Sequence, residues 1–211
     1  MSPPRRNRVD PFGELVADPS RGSLFGNRGV LHDEHGEVRR HHDGKRWIYC
    51  RLEYKGLRRA LMQPGRFTGL FFLDEATALA AGHRPCTLCM RERAIAFRDA
   101  WTTANPGIAA EPVRAPAIDA ELHRERLDGP SGKRTHEARI GDLPNGAMVV
   151  AGSAPAPHLV ETGRLLPWSF GGYGPPLAIA DRDAVVEVLT PASVVRSIAA
   201  GFVPNAAGER T

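Results

Sequence analysis

Residues 81–90 read AGHRPCTLCM, and this decapeptide constrains the chain more than any other stretch. Gly82 can close one helix, Pro85 bars its continuation, and Cys86 and Cys89 follow two residues apart. Beyond them Met90, Ala94, Phe97 and Trp101 recur at spacings of four, three and four, the apolar stripe of a second helix over about residues 89–103. The cysteine pair therefore opens a helix, where unpaired N–H groups and the positive dipole end favour thiolates. Two thiolates on such a turn span adjacent corners of a tetrahedron, which suits a metal knuckle. A thioredoxin-like redox pair needs a strand before the turn, and the spacing predicts a short helix there, starting at an Asp74 N-cap.

The chain holds one further cysteine, and three in 211 residues are too few and too odd for a disulfide scaffold. That third cysteine, Cys50, lies in KRWIYCRLEYKG, where alternation predicts a strand with Trp47 and Tyr49 on one face and Ile48, Cys50 and Leu52 on the other. Zinc wants four soft or borderline ligands, so Cys50, Cys86 and Cys89 need a companion. His83, His42 and Tyr54 are the candidates.

Charge is uneven. The formal net charge is +4, yet residues 37–66 alone carry nine Lys or Arg against three acidic residues. Arg46, Arg51, Lys55, Arg58 and Arg59, with Arg84 beside the knuckle, form a candidate surface for a phosphate backbone. No run of about 18 apolar residues suggests a membrane span, and the N-terminal residues lack the apolar core of a signal peptide. A cytoplasmic protein with no membrane partner is the expectation.

The first 36 residues, rich in Pro and Gly turns, read as an irregular arm, residues 37–104 as a knuckle module, and residues 117–204 as a β-rich module with a C-terminal helix. The last module offers four strand candidates, AMVVAG, PHLVETG, RLLPWSF and AVVEVLT, then a helix with Thr190 as N-cap and Val194, Val195 and Ile198 buried. The class is α+β. Trp168, Phe170 and Tyr173 stand on a Gly-rich loop that can stack bases or tuck against a core. His136, in GKRTHEAR, is a candidate general base for a small metal-dependent hydrolase or nuclease.

The segments WIYCR and LFFLDEATALAAGHRPCTLC resemble the metal-binding domain of Ada-type DNA-repair methyltransferases over about residues 47–98. That family has an (I/F)(Y/F)CR strand, an FF or FY pair and an A-x-x-A-G-(F/Y)-RPC-x-x-C knuckle. The resemblance implies that Cys50 is both a zinc ligand and an acceptor of a methyl group from DNA phosphotriesters, and that Cys86 and Cys89 are the last two ligands. The family's second cysteine falls on Tyr54, and its Pro-Ser on Leu52-Glu53. No helix-turn-helix or alkyl-transfer domain has a counterpart. What carries over is a fold fragment and a zinc site, with DNA repair or protection as the implied setting.

Overall fold

Turn residues in the first thirty positions shorten the elements there without abolishing them. A computed structural model describes residues 3–58, 61–108, 111–152 and 156–205. In it the segment read from sequence as an irregular arm forms β1 (Arg6–Val9), β2 (Leu15–Ala17) and β3 (Leu24–Asn27). These strands are full members of the first sheet. Each is only three or four residues long, so it fits between the Gly and Pro turns and still buries Asn7, Val9, Leu15 and Phe25.

The chain continues through β4 (Ile48–Arg51), the small hairpin β5 (Glu53–Tyr54) and β6 (Leu57–Arg58), β7 (Leu70–Phe72), α1 (Glu75–Ala80), β8 (Arg84–Pro85), α2 (Arg91–Ala104) and α3 (Ala115–Arg126). The first sheet runs β2-β1-β7-β3-β4-β8. A short hairpin follows, β9 (Leu127–Asp128) with β10 (Gly132–Lys133). The second sheet comprises β11 (His136–Arg139), β12 (Met148–Ala151), β13 (Ala156–Glu161), β14 (Arg164–Ser169), β15 (Gly172–Tyr173), β16 (Leu177–Ala178) and β17 (Val185–Val188), and α4 (Ala192–Ala199) closes the chain. All four strands expected in the last module are present, and the fold is α+β with a C-terminal helix.

The two sheets share their packing. Ala78 and Leu79 of α1 pack with the first core, while Ala76 and Ala80 of the same helix pack with Met148, Leu159 and Leu189 of the second sheet. Val194 and Ile198 of α4 join Phe97 and Trp101 of α2 in the first core. Glu75, buried in α1, holds Arg93 of α2 through two hydrogen bonds. Residues 117–204 therefore complete the knuckle module and do not stand apart from it.

Caps show local and long-range control side by side. Asp74 caps α1 as expected, its Oδ1 accepting the Thr77 N–H at 2.8 Å. Thr190 does not cap α4. Its hydroxyl oxygen accepts the Met148 N–H at 2.9 Å, and Glu125 of α3 receives the Ser193 N–H at 3.0 Å in its place.

Gly82, just past α1, has φ +81°, and a Cβ there would lie 2.5 Å from Arg126 Cδ. Gly65 has a similar φ of +69° but open space around it. Left-handed strain costs about 1–2 kcal/mol at either position, and overpacking adds about 1–3 kcal/mol at Gly82 alone. Gly82→Ala should therefore lower the urea midpoint clearly more than Gly65→Ala. Equal losses would contradict the packing described.

Candidate metal centre

Trp47, Tyr49 and Cys50 are all buried, because β4 is an interior strand covered on both faces. Its neighbour β8 runs parallel to it, with the Arg84 N–H on Trp47 O at 3.2 Å and the Cys86 N–H on Tyr49 O at 2.9 Å. That pairing sets Cys86 beside Cys50. The Met90 N–H then bonds Cys86 O at 3.1 Å, closing the turn that brings Cys89 round.

The sulfur atoms of Cys50, Cys86 and Cys89 lie within 4.8 Å of one another, and all three residues are buried and free of disulfides. Tetrahedral zinc with bonds of about 2.3 Å sets sulfurs roughly 3.8 Å apart, so the trio fits one ion with little movement. The thiols also perturb each other. Hydrogen bonds from the Cys50 and Cys89 thiols, with the backbone N–H groups of Cys89 and Leu88, draw the Cys86 thiol well below its usual range. Hydrogen bonds to Cys86 and Cys89, together with burial, push Cys50 well above it. A cation entering the trio would displace thiol protons.

Two candidates for the fourth ligand lie elsewhere. His83 is fully buried, packs on Trp47 and Phe72, and its Nε2 accepts from Arg28 Nε at 3.2 Å. His42 packs on Trp47 and His123. Among the described residues no histidine or carboxylate joins the three thiols within 4.8 Å. The sequence placed His83 three residues from Cys86, but the extended β8 between them separates their side chains. Tyr54 lies in β5, half-buried against the core cluster that contains all three cysteines, with Lys55 Nζ 5.5 Å from its ring centre.

The basic residues divide. Arg46, Arg51 and Lys55 are exposed around the end of β4. Arg58 lies in β6, and Arg59 falls outside the described residues. Arg84 is not on the surface. It is 5% exposed and forms a bidentate pair with Asp119 of α3, both contacts at 2.8 Å, so its charge is taken up inside the fold.

The sequence did not mark Trp47 as a hub. The Arg28 and Arg126 guanidinium carbons lie over its ring at 4.1 and 3.8 Å, and His41, His42 and His83 surround it. Both arginines are buried and bond carbonyls: Arg28 donates to Gly13 O, and Arg126 to Gly82 O and Lys45 O. A sequence signal existed in the run HHDGKRW, but its partners Arg28 and Arg126 lie far off in the chain.

The aromatic loop turns inward. Trp168 Nε1 donates to Thr77 Oγ1 at 2.9 Å, and the Tyr173 hydroxyl donates to Asp74 Oδ2 at 2.7 Å, which fastens the second sheet to the cap of α1. His136 sits within β11 opposite Val188. Burial, then repulsion from Arg196 and Lys133, lowers its pKa.

Comparison with protein-family models, curated proteins and solved structures returned no match. No helix among the described residues is long and apolar enough to cross a membrane.

The histidines make stability depend on pH. Burial first, then Arg28, holds His41 down to about 4, and the same causes hold His83 well below its usual value. His42, His123 and His136 are lowered too, with burial the largest cause. Unfolded imidazoles titrate near pH 6.5, so between about 6.5 and 4 the unfolded chain binds more protons. Their contribution is complete above pH 6.5 and is lost as pH falls toward 4. Asp10, raised to about 6 chiefly by burial, and Glu125, raised by burial, oppose this. Thermal unfolding should therefore occur at progressively lower temperature from pH 7 to 5, and His41→Gln should flatten part of that slope. An unfolding temperature that is constant or rises on acidification would contradict the assignment.

Proposed function

We propose that this chain is a zinc-binding protein that contacts nucleic acid, the metal pinning the basic strand β4 to the knuckle at the start of α2. The observation that carries the reading is the convergence of Cys50, Cys86 and Cys89 within 4.8 Å. Soft thiolates on a helix-opening turn select zinc over hard cations such as magnesium or calcium. Tyr54 is the remaining protein candidate for the fourth position. When bound, zinc would supply rigid cross-linking of two elements 36 residues apart in sequence.

Nucleic acid is the partner because Arg46, Arg51 and Lys55 stand exposed around the same strand. DNA is the form implied by the likeness of residues 47–98 to the Ada metal-binding domain. The methyl-acceptor role implied for Cys50 fits less well. Cys50 is buried, whereas a nucleophilic thiol is accessible.

Purified protein should contain about one zinc per chain by elemental analysis, and Cys50→Ser and Cys86→Ser should each lose it. A chain that holds no zinc and takes none up would overturn the proposal. Anisotropy titrations with a short DNA duplex should weaken steeply with salt, with a log-log slope of about −3 if Arg46, Arg51 and Lys55 each meet a phosphate. Lys55→Glu should reduce that slope. Salt-independent binding, or none, would remove the nucleic-acid half of the reading. Incubation with methylated DNA should leave Cys50 unmodified in mass spectra, and an adduct there would restore the enzymatic alternative.

A further inference from the structure

A cavity of about 470 Å³ opens between the N-terminal halves of α2 and α3, against the knuckle residue Thr87. Its floor is apolar and immobilised: Phe97 and Ile118 are each 1% exposed, and Val113 is buried beside them. Ile95 extends the apolar wall to the surface, where it is 40% exposed. A site of this volume with an apolar lining and a few convergent polar groups is in the range that takes a small molecule.

The mouth has one sign of charge. Arg84, Arg91, Arg98 and Arg114 line the cavity, and no carboxylate does among the described residues. Two of these cations are already compensated, Arg84 by Asp119 and Arg98 by its neighbour Asp99. Arg91 and Arg114 are exposed and form no ion pair with any described residue. They begin the two helices that flank the opening. Arg91 is the first residue of α2 and Arg114 the N-cap of α3, and neither helix has a side-chain cap. The positive helix ends add to the two guanidiniums.

We infer that this cavity binds a small amphipathic anion, an alkyl or aryl body seated on Phe97, Val113 and Ile118 with a carboxylate or phosphate held by Arg91 and Arg114. The apolar floor offers few hydrogen bonds to a polar body, and the arginine pair recognises the anionic end in fork geometry. This binding is independent of the zinc and nucleic-acid reading.

Calorimetric titrations of the full chain test it with four probes: decanoate, 1-naphthyl phosphate, decan-1-ol and inorganic phosphate. Both amphipathic anions should bind, and the alcohol and inorganic phosphate should bind at least tenfold more weakly. The stronger of the two anions identifies the preferred head group. Arg91→Ala combined with Arg114→Ala should weaken both anions about tenfold or more and leave the alcohol unchanged. Ile95→Glu, at an exposed position that leaves folding intact, should abolish binding of the anions. Equal binding of decan-1-ol and decanoate, equal binding of inorganic phosphate alone, or no binding of either amphipathic anion would each overturn the inference.

Discussion

The parallel pairing of β4 with β8 decides where the thiols meet. Two backbone hydrogen bonds, Arg84 N–H to Trp47 O and Cys86 N–H to Tyr49 O, fix the register. Closing a loop of some 36 residues costs about 3 kcal/mol in chain entropy, and two such bonds return only about 1–3 kcal/mol net. The closure therefore rests on what the pairing buries: Trp47, Tyr49 and Phe72 are essentially inaccessible, each worth roughly 1.5–3 kcal/mol. With the register held by packing, the sulfurs are already arranged as a metal would require. Structural zinc contributes about 10–16 kcal/mol of apparent binding energy in small peptides, far more than the closure costs.

The same register fills the space behind β4 with buried positive charge. Arg28 and Arg126 are buried there and held by carbonyl oxygens, and burial lowers the pKa of each, to about 9 and 8. The face of Trp47 is the other compensation, since a guanidinium over an indole keeps a favourable electrostatic partner after losing water. Burial first, and these cations second, hold His41, His83 and His42 neutral. Three thiols placed to hold a metal and a histidine cluster among arginines thus occupy adjoining parts of one core.

Much of this was legible in local pattern. The knuckle turn, the Asp74 cap, the Met90-Ala94-Phe97-Trp101 stripe and four of the second sheet's seven strands follow from spacing alone, because each is settled within one or two turns of chain. The three strands of residues 6–27 were not legible, since a period of two cannot be counted over three or four residues between turns. Arg84 read as one more basic side chain because its partner Asp119 lies 35 residues on, in α3. Glu125 capping α4 and Tyr173 binding the cap of α1 are long-range in the same way. Nor could spacing show that His83, so near Cys86 in sequence, would face Trp47 and Arg28.

X-ray absorption on the zinc-loaded chain measures directly whether Cys50 joins Cys86 and Cys89 around one ion. The first shell should hold three sulfurs at about 2.3 Å with one lighter O or N neighbour. A shell with two sulfurs or fewer in the unaltered chain would contradict that arrangement.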